Sequence, residues 1–327
     1  MELSKQFNTG LILGKRETDY ILGSSPVVNE VLITDGNWKQ WSPEHEIQAK
    51  RYYDTLSCVT YSALDAIEYI FTYRLNKGQV SPVDVKWLQD NGYFKNGYIN
   101  FSERFTAILG GTTNQGAYQY KVGDAIRKFG LIPQDMFPTN DEIKTFEEYI
   151  DKTKITQAMY DLGLEFAKRF SINYQWAGDA KEALKYGPVQ VCVYYLDGDG
   201  ILCTDKNPIH AVTAVNSGTD FIEIDDSYQR QFKKYCVPAI WSPMLYTVKF
   251  NNMRLVKSSN STNTTVFLID ALGNRRVFFN EKHFASVAPA LGLAKQGTQT
   301  DWSNVELLTE EEINKFPLAN PLYEVNG

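Results

Sequence analysis

Residues 54–71, DTLSCVTYSALDAIEYIF, contain a cysteine at the start of a predicted amphipathic helix. The apolar side chains recur at the three-and-four spacing of one buried helix face. They are Val59, Ala63, Ala66, Ile67, Ile70 and Phe71. Thr55 and Ser57 are suitable N-cap residues, so Cys58 lies where backbone N–H groups and the positive end of the helix dipole converge. This position favours the thiolate that a nucleophile requires, although free cysteines are also common as small buried residues.

The composition is that of a globular protein. The chain has 327 residues, 43% of them hydrophobic and 22% charged, which suits one large domain and a smaller one. The net charge is −6 and the basic residues are scattered, so no nucleic-acid partner is expected. Glycine-rich phosphate loops and closely spaced Cys or His pairs are absent, which predicts neither a cofactor nor a metal.

The first 20 residues have too short an apolar core for a signal peptide, and no later run approaches the ~20 residues of a membrane helix. We therefore expect a soluble protein of unknown compartment, with a cytoplasmic or virion-associated location compatible with these features. Four cysteines are too few for a disulfide scaffold. With Cys58 set aside, we expect Cys192, Cys203 and Cys236 to be reduced, and a Cys203–Cys236 bridge is the alternative.

Helical signals dominate from residue 54 to about 170. After the cysteine helix, Ser81-Pro82 begins a helix that stops at Asn91-Gly92, and Gly and capping residues delimit those that follow. The predicted ranges are 102–109, 118–129 and a long polar helix at 141–170, with a short one at 179–186.

Strand signals follow the helices. Gly187-Pro188 opens a β-branched and aromatic run at 189–195, and similar runs occupy 209–215, 221–225 and 245–250. Helices followed by strands predict an α+β fold, in which the cleft between a helical lobe and a β lobe is a natural active site.

A Ser/Thr/Asn-rich segment, KSSNSTNTT at 257–265, predicts a linker before a small C-terminal domain. That domain is predicted to begin with a hairpin, VFLIDALGNRRVFF, turning at Gly273-Asn274, and to continue with a helix over 281–291. The predicted organisation is an arm at 1–37, a main domain at 38–250, a linker at 251–265 and an accessory domain at 266–327.

Three polar residues stand in a nucleophile, base and orienter order: Cys58, His210 and Asp226. His210 stands at the start of one predicted strand and Asp226 at the end of another, 16 residues later, so two adjacent strands can hold imidazole and carboxylate side by side. The other two histidines, His45 and His283, are expected at the surface.

From about residue 38 to 250 the chain resembles the papain-like cysteine peptidases. The resemblance rests on five pieces in the same order. These are Cys58 with Tyr61 on the first long helix, GGTTNQG at 110–116 before a helix, Gly187-Pro188-Val189, His210-Ala211-Val212, and Asp226-Ser227-Tyr228 in place of the usual Asn-Ser-Trp. The Gly-Ser-Cys-Trp signature of the family, its disulfides and a long inhibitory prosegment have no counterpart, which points to a divergent bacterial or phage branch.

The resemblance implies a Cys58 nucleophile, a His210 general acid and base, and Asp226 as the residue that orients His210. An anionic orienter would polarise the Cys58–His210 pair more strongly than the usual Asn. The family also supplies a Gln to the oxyanion hole; Gln48, ten residues before Cys58, is the nearest candidate, with an ordinary exposed Gln as the alternative. Backbone at Asn114, Gln115 and Gly116 resembles the wall that pairs with substrate, or is a plain turn.

The leading functional prediction is therefore hydrolysis of peptide bonds in a peptide or protein substrate through a thioacyl-enzyme. A transglutaminase or peptidoglycan amidase using the same residues is one alternative. A non-enzymatic virion or surface protein on the same scaffold is the other. The C-terminal segment is loosely similar to modules of bacterial wall-associated proteins, and this likeness predicts either an attachment partner or a mere cap on the β lobe.

Overall fold

The computed structural model describes residues 10–14, 30–95, 97–228, 232–250, 254–260, 262, 265–269, 275–278, 282, 284–285, 305–316 and 318. The chain divides into two compact units. The first comprises Met1–Arg74 and Leu88–Lys249, and the second comprises Leu75–Trp87 and Phe250–Gly327.

The helices of the first half agree with the sequence prediction. They are α1 Cys58–Asn76, α2 Pro82–Asp90, α3 Glu103–Leu109 and α4 Gln119–Phe129. Ser102 caps α3 by accepting a hydrogen bond from the Phe105 N–H, which is why that helix begins where it does. Four two-residue strands occur in the same half: β1 Leu11–Ile12, β2 Phe94–Lys95, β3 Tyr98–Ile99 and β4 Ala117–Tyr118. β1 pairs in parallel with β4, and β2 pairs antiparallel with β3.

The long helix predicted at 141–170 is wrong. The structure has α5 Phe146–Tyr149, a 3₁₀ turn at Lys152–Lys154 and α6 Gln157–Arg169. Three N-cap side chains begin separate helical turns within this segment, because each accepts a hydrogen bond from a backbone N–H two or three residues later. They are Thr145, Asp151 and Thr156.

A seven-stranded sheet follows, with one short helix, α7 Ala180–Ala183. Its strands are β5 Phe170–Trp176, β6 Val189–Val193, β7 Ile201–Leu202, β8 His210–Ser217, β9 Phe221–Asp225, β10 Lys233–Cys236 and β11 Trp241–Phe250. Their order is β5-β11-β6-β8-β9-β10-β7. From β11 through β6, β8 and β9 to β10 each strand runs antiparallel to the next, and β7 joins β10 in parallel. The α+β class predicted from the sequence is confirmed.

The core of the first unit joins α1, α7 and the sheet. All five residues of β6 are buried, and its three valines belong to a core cluster that also contains Tyr69 of α1 and Ala183 of α7. Trp38 is fully buried, and its indole N–H donates to the Leu184 carbonyl at 2.7 Å. Two further bonds tie α1 to the sheet: the Gln190 amide donates to the Val59 carbonyl at 2.7 Å, and the Thr213 hydroxyl donates to the Ser62 carbonyl at 3.0 Å.

The second unit contains a four-stranded sheet and a helix, α8 Glu310–Asn314. The strands are β12 Arg254–Ser258, β13 Val266–Ile269, β14 Arg275–Val277 and β15 Val305–Leu308. Their order in the sheet is β14-β13-β12-β15. The predicted hairpin is confirmed by the antiparallel pairing of β13 with β14, and its turn lies outside the described residues. β12 was not predicted, and it lies within the segment expected to be a linker. Most of the helix predicted at 281–291 also lies outside the described residues.

The cysteine prediction was partly wrong. Cys203 and Cys236 form a disulfide, whereas Cys58 and Cys192 are free and buried. The bridge joins the loop after β7 to the end of β10, because the parallel pairing of Leu202 with Tyr235 brings the next residue of each strand together. In the part of the chain that the structure describes, no helix is both long and apolar enough to cross a membrane.

Candidate active site

Cys58 is the first residue of α1 and is fully buried. Its Sγ accepts a hydrogen bond from the Ala211 N–H at 3.4 Å, which places the start of β8 directly against the thiol. The hydroxyl of Ser57, one of the two expected N-cap residues, donates to the Thr55 carbonyl at 2.9 Å. The turn is made by the backbone of Leu56, which has a left-handed φ of 50°.

Burial dominates the acidity of this thiol. It raises the pKa of Cys58 well above the ordinary thiol value, the Ala211 N–H lowers it, and the carboxylates of Asp54 and Asp226 raise it further. Burial therefore opposes the thiolate that the helix N-terminus was expected to favour.

His210 and Asp226 meet as the sequence predicted. β8 and β9 are antiparallel neighbours, and His210 Nε2 lies 2.7 Å from Asp226 Oδ1. Both side chains are fully buried. Because an ionised carboxylate can only accept, Nε2 carries the hydrogen, and the neutral ring then has an acceptor at Nδ1. Among the described residues, Nδ1 of His210 has no hydrogen-bond partner.

Asp226 is held ionised although it is buried. Burial by itself would raise its pKa, but the His210 imidazole and the Lys233 ammonium lower the pKa to about 2. Lys233 Nζ lies 2.8 Å from Asp226 Oδ2, so the two carboxylate oxygens have two different partners. The Tyr228 N–H adds a third hydrogen bond at 3.1 Å to Oδ1.

Tyr228 covers the imidazole. Its ring centroid lies 5.0 Å from that of His210 with the planes tilted by 49°, and the Tyr195 ring lies 5.8 Å away on an edge. The Tyr228 hydroxyl donates to Asp54 Oδ2 at 2.7 Å and accepts from Gln48 Nε2 at 2.9 Å. The aromatic position of the Asp-Ser-Tyr motif is thus anchored to the segment that precedes α1.

Gln48 is fully buried beside this site and is not an ordinary exposed glutamine. Its amide donates to Asp54 Oδ1 at 3.1 Å and to the Tyr228 hydroxyl, and its Oε1 accepts from the Ser227 hydroxyl at 2.8 Å. The two amide hydrogens are both in use. To stabilise an oxyanion, Gln48 would have to exchange one of these bonds, and that role stays a prediction.

The predicted substrate wall at 114–116 lies in a turn closed by mutual hydrogen bonds between Thr113 and Gly116. The next residue, Ala117, donates its N–H to the Gly10 carbonyl at 2.9 Å. A Cβ added to Gly116 would lie 2.0 Å from the Gly10 carbonyl oxygen. This edge is therefore paired with the chain's own β1, and a substrate strand would have to replace that pairing. Substrate binding at Asn114, Gln115 and Gly116 stays a prediction.

Of the other histidines, His283 lies outside the described residues. The expectation that His45 is a surface residue is wrong. It is half-buried, with Nδ1 3.4 Å from Asp225 Oδ1, and the hydrogen bond to Asp225 is the main reason why its pKa is raised. Lys233 and Asp54 were also missed as site residues, since no local motif marks either of them.

An acidic cavity is lined by residues of α1, α3, β8, β9 and the loop before α1. Its carboxylates are Glu44, Glu46, Asp65, Glu68, Glu103 and Asp225. Burial raises the pKa of Asp65, Glu68 and Glu103 well above the ordinary carboxyl range, and neighbouring carboxylates raise it further. Among the described residues, no cluster of three or more His, Cys, Asp or Glu side chains is arranged to hold a metal ion.

No protein-family model matches the chain, and no curated protein matches its sequence. Solved structures do. The chain is similar to xylellain, a cysteine protease from Xylella fastidiosa, at 13% identity over 76% of this chain and 98% of that chain, with a TM-score of 0.47. It is also similar to a digestive procathepsin L2 proteinase from Tenebrio molitor larval midgut, at 15% identity over 74% and 78%, with a TM-score of 0.46.

Proposed function

We propose that the chain is a papain-like cysteine peptidase in which Cys58 is the nucleophile, His210 the general base and acid, and Asp226 the residue that orients His210. One observation carries this proposal. His210 presents a buried Nδ1 with no hydrogen-bond partner among the described residues, while the N–H of the next residue, Ala211, is bonded to Cys58 Sγ. A buried nitrogen without a partner is costly, and a proton taken from the neighbouring thiol would satisfy it.

The chemistry follows from this tautomer. The Cys58 S–H proton passes to His210 Nδ1 as sulfur attacks the substrate carbonyl carbon. When the C–N bond breaks, its electron pair goes to the leaving nitrogen, which takes the proton from Nδ1. Water then attacks the thioester, giving up a proton through His210, and the thiol is restored as the carboxylic product leaves.

The raised pKa of Cys58 does not conflict with this sequence of steps, because proton transfer and attack occur together when substrate approaches. The burial of Cys58 does require a local movement before the reaction. Cys58 has no exposed surface, so a substrate or a labelling reagent reaches it only after neighbouring groups move.

Alkylation by iodoacetamide between pH 4 and 9, read by mass spectrometry, tests the assignment. Cys192 is an internal reference, because it is also free and fully buried, and its Sγ donates to Gln119 Oε1 at 3.3 Å. We expect Cys58 to react faster than Cys192 in the parent protein and to lose roughly tenfold or more of that rate in His210→Ala. His45→Ala is the matched control, because His45 is the other histidine that the structure describes and it lies beside Asp225. This variant should keep the alkylation rate of Cys58.

Cleavage of a peptide library is then measured with the parent and with Cys58→Ser. Cleavage by the parent and none by Cys58→Ser would support the peptidase. Labelling of Cys58 no faster than that of Cys192, with no dependence on His210, would contradict it.

A second candidate, a non-enzymatic protein on this scaffold, is favoured by one specific observation, the complete burial of Cys58 with a raised pKa. The same alkylation series separates the two, since an inert Cys58 at every pH fits the non-enzymatic protein.

A further inference from the structure

Lys233 is a buried lysine whose ammonium group faces the candidate triad. Only 1% of its side chain is exposed. Among the described contacts, its Nζ lies 2.8 Å from Asp226 Oδ2 and 4.3 Å from the centre of the Tyr195 ring. A buried ammonium is costly unless it is paired, so this pairing is a built feature of the site.

The fold directs this side chain inward. β10 pairs with β9, where Lys233 stands opposite Ile224. Alternation along the strand buries Lys233 and Tyr235 and exposes Lys234. Phe232, immediately before the strand, has a left-handed φ of 59°, an unfavourable conformation for a residue with a side chain. The backbone therefore accepts strain at the point where Lys233 enters the site.

The charges of the site differ from those that the sequence suggested. An orienting Asp was expected to hold the imidazolium more tightly than an Asn would. Here Asp226 gives Oδ1 to His210 and Oδ2 to Lys233, so the carboxylate and the ammonium together carry no net charge. A neutral amide acceptor next to His210 would carry the same net charge.

We propose that Lys233 is a positioning residue: by neutralising Asp226, it lets the carboxylate orient His210 without making the imidazolium too weak an acid for the leaving group. This inference rests on the proposed function. In the step that needs it, the proton leaves Nδ1 of the imidazolium for the amine nitrogen as the C–N bond breaks. An unopposed Asp226 would hold that proton more strongly and slow the step for amides, which have poor leaving groups.

Other groups also face this pair and must stay constant in any test. The Tyr195 and Tyr228 rings pack on His210. Cys58 Sγ accepts a hydrogen bond from the N–H of Ala211, the residue after His210. Asp54 accepts a hydrogen bond from the Tyr228 hydroxyl. His45 and Tyr235 interact electrostatically with the Asp226 carboxylate.

The His210 titration tests the proposal without requiring activity. In a Cys58→Ala background, imidazole proton resonances are followed by NMR against pH; the chain has only three histidines, so assignment by single substitution is direct. We expect Lys233→Met to move the His210 midpoint upward by about 1 pH unit. Lys233→Arg should keep the parent midpoint. Lys234→Met changes the exposed neighbour on the same strand and should leave the midpoint unchanged.

The double variant Asp226→Asn/Lys233→Met is decisive, because it removes both charges and leaves no unpaired buried ion even if Lys233→Met does not fold. If Lys233 neutralises Asp226, the double variant titrates His210 at the parent midpoint. If Lys233 only fills space, the double variant loses the effect of Asp226, and the midpoint falls by about 1 pH unit. That fall, or an unshifted midpoint in a folded Lys233→Met, would overturn the proposal.

Turnover separates this inference from the proposed function. With peptide amide and ester substrates of one sequence, Lys233→Met should lower kcat for the amide more than for the ester. If no variant or parent cleaves either substrate while the titration shifts as expected, the peptidase proposal fails and the electrostatic role of Lys233 stands.

Discussion

Gly10 lies against the carbonyl group of Leu56, two residues before Cys58. A Cβ added to Gly10 would lie 2.0 Å from the Leu56 oxygen, and Gly10 itself has a φ of +97° that favours glycine. β1 therefore holds its place between β4 and the turn that begins α1 only because residue 10 has no side chain.

Gly10→Ala should release β1 and make Cys58 more accessible. Strain and steric conflict of a few kcal/mol at one residue would raise the open population, and we expect roughly tenfold faster alkylation of Cys58. Gly92→Ala is the matched control, because Gly92 also has a positive φ, +79°, but nothing lies within 4 Å of the added Cβ. Equal Cys58 rates in the two variants would show that β1 does not limit access.

Glu68 should make the stability of the protein depend on pH. Its pKa is raised chiefly by burial, so the contribution of its protonated form is complete at acid pH and is lost as pH rises above the ordinary carboxyl range. Glu68→Gln keeps a carbonyl acceptor for the Phe101 N–H. The unfolding free energy of the parent should fall relative to that of Glu68→Gln by up to about 1.4 kcal/mol per pH unit until Glu68 ionises.

Urea unfolding at several pH values between about 5 and 8 measures this difference. The exposed Glu147→Gln in α5 is the control and should run parallel to the parent. A Glu68→Gln curve parallel to the parent would mean that Glu68 is already ionised in the folded protein.

Tyr228→Phe should destabilise the protein while keeping a ring over His210. The substitution removes the donor to Asp54 and the acceptor of the Gln48 amide, and unsatisfied groups of this kind cost about 1–3 kcal/mol. Tyr195→Phe serves as the comparison, because the Tyr195 ring also packs against His210 and Tyr228. Urea unfolding measures both; an unchanged free energy for Tyr228→Phe would show that water replaces the lost bonds.

The oxidation state of the cysteines can be counted directly. Denatured but unreduced protein should titrate two thiols, Cys58 and Cys192, and reduction should raise the number to four, since Cys203 and Cys236 are joined. Four thiols before reduction would restore the sequence-based prediction of reduced cysteines.

The amino-acid sequence by itself determined the elements and the order of the candidate residues. The apolar spacing after Cys58 specified α1, and the β-branched runs specified β6, β8 and β9. These patterns are local, because helix and strand periodicity can be read within a dozen residues. The antiparallel neighbours β8 and β9 then accounted for the meeting of His210 with Asp226. The prediction of one helix over 141–170 was wrong, because side-chain caps within that segment begin separate helical turns.

Only the tertiary structure decided the environment of those residues. Lys233 comes from β10, which the sequence did not predict, and its alternation gives no sign that its partner is Asp226. The burial of Cys58, the anchoring of Tyr228 by Asp54 and the contact of Gly10 with Leu56 all join segments far apart in the chain. The physical reason is that acidity and access depend on desolvation and on charges brought together by folding, and neither is a property of local sequence.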